Sequence, residues 1–162
     1  MRRFIKIFSV LAFIGFIGVA LVAPAAAQPR QMGDDIFTPL FQGYEFMSKG
    51  KYDAAQVEFE KVIKADFYNP YANNNMAVLM EKQGKMQDAM TYLTNAEKYA
   101  DQYLYKVDQV CLIGGLCSAV KPEKTTTPKS TISGVIADNK KKLAAKMGPK
   151  PADIPKDVPK MK

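Results

Sequence analysis

Apolar residues recur every three or four positions along the middle of the chain. Ala55, Phe59, Val62 and Ile63 form one such stripe and Ala89, Met90, Leu93 and Ala96 another. That spacing places one buried face on an α-helix. Two Xaa-Pro steps, Thr38-Pro39 and Asn69-Pro70, read as an N-cap followed by proline at the first helical position. Gly50 and Gly84 stand where a helix would end in a left-handed residue. These signals predict helices over 39–49, 52–65, 70–83 and 86–99.

The two hairpins repeat one phrase. "GKYDAAQVEFEKVI" from Gly50 and "GKMQDAMTYLTNAE" from Gly84 lie 34 positions apart. Superposing them pairs Tyr52 with Met86, Ala55 with Ala89, Phe59 with Leu93 and Val62 with Ala96; upstream, Gly43 pairs with Ala77 and Phe46 with Met80. A fixed period of this length and order of residue types resembles the tetratricopeptide repeat. In that family small residues of the two helices face each other, here Gly43 against Ala55 and Ala77 against Ala89. The chain departs from the family in having Pro39 and Asn73 where a bulky aromatic usually stands, and Phe67 in place of the closing proline.

The resemblance implies an all-α fold over residues 36–117: two repeats, about 36–69 and 70–103, with a capping helix near 101–113 closing the open end. In the family, the first helix of each repeat lines a concave groove that holds a peptide. Carried over by position, the groove presents Phe37, Leu40, Tyr44, Met47, Tyr71, Asn74, Val78 and Glu81, with Tyr105 from the cap. Such an apolar-aromatic surface suits an apolar or extended protein segment, whose backbone Asn74 could bond. The competing reading of Phe37 and Leu40 is that they cap the exposed end of the first repeat. Asn73, Asn74 and Asn75 in succession are poor helix formers, so at least one is expected to serve the groove.

Beyond the repeats, "KPEKTTTPKS" from Lys121 reads as a linker. Ile132, Val135, Ile136, Asn139 and Leu143 then share a helical face beside Lys140, Lys141, Lys142 and Lys146. Prolines spaced along "PKPADIPKDVPKMK" favour extended chain. Residues 118–162 are therefore expected to form a largely disordered basic tail. Its lysines would contact an anionic membrane surface or an acidic partner. Nucleic acid is not expected as a partner, and the pattern is silent on oligomeric state.

Charge sharpens this division. The net charge of +7 hides a body, Gln28 to Cys117, with nine basic and twelve acidic residues, and a tail with eleven lysines and four acids. Arg2, Arg3 and Lys6, the apolar run from Phe8 to Ala23 and "AAA" before Gln28 read as a secretory signal over 1–27, cleaved after Ala27. Residues 28–35 form a short extension before the repeats. Export to a bacterial periplasm follows as the expectation, an uncleaved anchor being the alternative. In such a compartment Cys111 and Cys117, the only cysteines, are expected to form a structural disulfide.

The chain has no histidine, the commonest general base and metal ligand. No phosphate loop or nucleophile motif is present. Met76 with Met80 and Met86 with Met90 are i, i+4 pairs that invite Cu(I), but Met76 and Met80 occupy core positions of the repeat, Met86 and Met90 pair with Tyr52 and Gln56, and methionine commonly fills gaps in cores. The expectation is a non-enzymatic protein without cofactor or metal: an adaptor working through its groove. The alternative is a structural envelope component attached through its tail.

Overall fold

The computed structural model describes residues 28–112, 115 and 117–148. The leader and the proline-rich terminus lie outside the described residues. The chain forms α1 (Asp34–Ser48), α2 (Tyr52–Ala65), α3 (Pro70–Lys82) and α4 (Met86–Glu97). A 3₁₀ turn, Ala100–Gln102, leads into β1 (Tyr105–Leu112), β2 (Ser118–Thr126) and α5 (Ile132–Met147).

The helical hairpins repeat in backbone detail. The Gly50 amide donates to the Met47 carbonyl and the Lys51 amide to that of Phe46; Gly84 donates to Glu81 and Lys85 to Met80, at 2.8–3.0 Å throughout. These paired bonds close a helix C-terminus through a left-handed glycine, and Gly50 and Gly84 have φ of 73° and 77°. The helix ends thus coincide at the 34-residue period. α1 packs on α2, α3 on α4, and α2 on α3. Close approach of α1 to α2 depends on Gly43, where a Cβ would fall 2.5 Å from the Phe59 ring. Phe59, rather than Ala55, is the nearest neighbour there.

Asn69 caps α3 as expected: its Oδ1 accepts from the Tyr71 and Ala72 amides at 3.2 and 3.1 Å. The start of α1 differs. The helix begins at Asp34 and runs through Pro39, because the Gly33 carbonyl accepts from the Ile36 and Phe37 amides at 3.0 and 2.9 Å. Asp34 and Asp35 complement the positive helix end. Proline deletes one bond, and burial of Ile36, Phe37 and Leu40 on the same helix outweighs it.

Two expectations need correction. The capping helix over 101–113 is a 3₁₀ turn and the strand β1, so the fold is mainly helical with a two-stranded antiparallel sheet rather than all-α. Nor is the whole segment after Cys117 a disordered tail: residues 118–126 are β2 and 132–147 are α5. The lysine-rich helix buries Ile132, Ile136, Asn139 and Leu143. Its apolar face is spent on the protein itself, and α4 is its main neighbour.

The hairpin β1–β2 pairs Gln109 with Lys121, Val110 with Val120, Cys111 with Ala119 and Leu112 with Ser118, and an irregularity interrupts the ladder between Val107 and Gln109. This register opposes Cys111 to Ala119 rather than to Cys117, and both thiols are free. The expected disulfide is absent. Cys117 Sγ instead lies 3.7 Å from the Asn139 carbonyl.

Candidate functional site

α3 is buried on every side from Pro70 to Glu81. Tyr71, Asn74, Val78 and Glu81 recur at three- and four-residue steps, which places them along one helical face. This face grips the backbone of the hairpin. Tyr71 Oη donates to the Tyr105 carbonyl at 2.7 Å. Asn74 Nδ2 donates to the Ser118 carbonyl at 2.9 Å. Asn75 meets Val120 twice: its Nδ2 donates to the carbonyl at 2.7 Å and its Oδ1 accepts from the amide at 2.8 Å. Glu81 Oε2 accepts from the Cys117 amide at 2.9 Å.

The pairing of Asn75 with Val120 reproduces what a neighbouring strand would offer: one donor and one acceptor to a single residue's main chain. β2 thus has β1 on one edge and a helix-borne amide on the other. Asn139 of α5 completes the set. Its Nδ2 donates to Asn74 Oδ1 at 2.8 Å and to the Ser118 carbonyl at 3.0 Å, and its Oδ1 accepts from the Ser118 amide at 2.8 Å. Buried amides of this kind are costly unless satisfied, and here three side chains satisfy one another and one extended segment.

α1 supplies the other wall. The Phe37 ring meets Tyr105 edge-on, with centroids 5.0 Å apart. Tyr105 Oη accepts from the Met32 amide at 2.8 Å and donates to Gln31 Oε1 at 2.9 Å. Lys121 lies over Phe41 and Tyr44, and bridges to Glu45 at 3.7 Å and Asp108 at 3.5 Å. Burial, followed by a hydrogen bond with the Cys111 thiol, raises the Tyr44 phenol above its ordinary range. Burial likewise raises Tyr71, with smaller contributions from Tyr105 and Tyr103.

All nine residues assigned to the groove fall on these walls or on the hairpin, and none is more than 4% exposed. The chain's own hairpin packs against both helices, β2 lying on α3 and on α1. Phe37 and Leu40 are covered rather than presented to solvent. Of the asparagines, Asn74 and Asn75 face the hairpin. Asn73 turns away, its Nδ2 donating to the Phe67 and Asn69 carbonyls at 2.8 and 2.9 Å. Of the tail lysines, Lys140 pairs with Glu97 and Lys146 with Glu81, the latter at 3.5 Å; Lys141 and Lys142 are exposed.

Sequence reasoning missed Asn75 and Asn139 as groove residues. The signal was present: three asparagines inside one helix, and a fourth among the apolar positions of another.

Elsewhere, an open cleft of about 440 Å³ between the N-terminal segment and α2 is lined by Arg30, Asp35, Asp66 and Tyr103. Its one half-buried carboxylate, Asp66, already accepts from Tyr103 Oη and Asn69 Nδ2. Among the described residues no three His, Cys, Asp or Glu side chains gather to hold a metal ion, and no helix is long and apolar enough to cross a membrane.

No family model, curated protein or solved structure matches this chain.

Proposed function

We propose that the protein is a non-enzymatic, exported interaction module of the tetratricopeptide type, built to hold an extended polypeptide on its concave face. The bonding of Asn74 and Asn75 to the main chain of Ser118 and Val120 carries this reading. Those contacts read backbone, not side chains, as a groove for extended segments must. The resident segment is the protein's own hairpin. A partner therefore meets the groove through its rim: α1, the outward side of β1, and the cleft where Phe37, Tyr105, Lys124 and Thr126 converge. Export rests on the leader sequence, and a periplasmic location is part of the proposal.

Attachment to envelope polyanions through the basic C-terminal part is the second reading, favoured by the exposure of Lys141 and Lys142. Lysine-directed crosslinking in intact cells, with the crosslinked positions mapped by mass spectrometry, separates the two. Crosslinks from Lys49, Lys106 and Lys124 to one other protein are expected. Crosslinks confined to Lys141, Lys142 and the lysines beyond them would refute the groove-rim reading.

A further inference from the structure

The open cleft between the N-terminal segment and α2 carries both signs of charge. Arg30 is held there by three contacts. Its amide donates to the Gln102 carbonyl at 2.8 Å, its Nε donates to Gln102 Oε1 at 2.9 Å, and its guanidinium lies 4.3 Å from the centre of the Tyr99 ring. A planar guanidinium fixed in advance loses little further freedom when it takes a ligand. Yet among the described residues no carboxylate forms an ion pair with Arg30, although Asp35 and Asp66 line the same cleft.

Tyr103 stands between the opposite charges. Its Oη donates to Asp66 Oδ2, and Asn69 Nδ2 donates to the same oxygen at 3.2 Å. Both bonds fall on Oδ2, so Asp66 Oδ1 has no protein partner among the described residues. Tyr103 also feels Arg30. Burial first, then the bond to Asp66, raise its phenol, while a hydrogen bond with Arg30 and the charge of that residue pull it down. Arg30 and Asp66 are thus neighbours of one hydroxyl without pairing with each other. Beside them the cleft has an apolar wall of Met32, Ile36 and Ala65.

We propose that this cleft binds a free α-amino acid with an apolar side chain. Its carboxylate is taken by the terminal nitrogens of Arg30, in the paired geometry a guanidinium offers. Its ammonium donates to Asp66 Oδ1, with Asp35 adding negative charge, and its side chain rests on Met32, Ile36 and Ala65. The mixed lining selects against simpler ligands. An anion alone would meet two carboxylates, a cation alone would meet Arg30, and either would leave one charge of the cleft unmatched. In a peptide the two charged groups are carried at opposite ends, so the free amino acid is the form that presents both across a single tyrosine hydroxyl. The volume of about 440 Å³ lies within the range of small-molecule sites, roughly 300–1,000 Å³. Binding here does not require the partner proposed above.

The test is titration of the native protein with L-leucine, N-acetyl-L-leucine and L-leucinamide, followed by amide proton–nitrogen correlation spectra. L-Leucine is expected to shift the amides of Gly33, Ala65 and Asp66. Each blocked form, lacking one charge, should bind roughly tenfold more weakly or worse. Asp66→Asn keeps an acceptor for Tyr103 and Asn69 but not the charge, and should lose as much, as should Arg30→Gln, at unchanged far-UV dichroism. Because Arg30 also anchors the N-terminal segment, a third variant is needed: Ala65→Leu fills the cleft from the exposed end of α2, leaves both charges in place, and should abolish the L-leucine shifts. Blocked forms that bind as tightly as the free amino acid overturn the proposal. So do acetate alone producing the same shifts, binding that survives Ala65→Leu unchanged, or no shifts with L-leucine at its solubility limit.

Discussion

Replacing Asn75 by alanine tests whether side-chain amides hold the hairpin in place. Asn75 is fully buried and its two bonds to Val120 are 2.7 and 2.8 Å long. The substitution strands a buried N–H and a buried C=O together, and each unsatisfied group costs about 1–3 kcal/mol. A loss of roughly 3–4 kcal/mol is the central expectation, a large part of the 5–15 kcal/mol that holds a typical domain. For a domain of this size it lowers the melting temperature by roughly 10–20 °C. Urea denaturation followed by circular dichroism gives the free energy, and hydrogen exchange at the Val120 amide reports the bond itself. Thr91→Ala, exposed on α4, is the control and should stay within about 0.5 kcal/mol of the native protein. A loss under about 1 kcal/mol for Asn75→Ala, or an unaltered Val120 exchange rate, would falsify the claim that these amides hold the hairpin.

Glycines give a graded set. Gly43→Ala drives a methyl against the buried Phe59 ring and should cost about 1–3 kcal/mol. Gly134→Ala, in α5 with nothing within 4 Å, should stabilise by about 0.5–1 kcal/mol. Gly84→Ala also meets nothing, yet its left-handed backbone makes it cost about 1 kcal/mol; equal melting curves for Gly84→Ala and Gly134→Ala would contradict the φ argument. Burial first, then the hydrogen bond and charge of Glu81, push the Cys117 thiol up to about 12. At pH 8, iodoacetamide should modify half-buried Cys111 and spare Cys117 until the chain unfolds; equal labelling rates would refute this. The raised thiol also sets a direction with pH: its contribution to stability is complete below the unfolded value of about 8.5 and is lost as pH rises toward 12. Tyr71 and Tyr103, both raised by burial, act in the same sense, so denaturation midpoints should fall across that alkaline range and not across the acid side of it.

Helices α2, α3 and α4 were legible to within two residues because apolar period, caps and the 34-residue repeat agreed. The start of α1 was misplaced because Pro39 was read as a boundary, whereas tertiary burial of Ile36 and Phe37 carried the helix through it. The strand β1 was missed for a different reason. Tyr103, Tyr105 and Val107 alternate, Gly114-Gly115 follow as a turn signal, and Ala119 and Val120 lie beyond. Read in the register of a third repeat, the same residues passed for a helix. The shared face of Tyr71, Asn74, Val78 and Glu81 was legible from the helical spacing, but not what covers it. Nothing in a repeat's own pattern says that a segment some 45 residues downstream will settle on its asparagines.

That separation along the chain has a consequence for the order of assembly. α1 to α4 are made of local contacts, which form quickly. The amides of α3, however, find their partners at Ser118, Val120 and Asn139, 44, 45 and 65 residues later. A chain emerging from its N-terminus has made both helical hairpins long before Asn139 appears. Through that interval the amides of Asn74 and Asn75 stand without the partners that the folded chain gives them. Closure of the fold by its last third is thus also the moment at which a transiently adhesive surface is withdrawn.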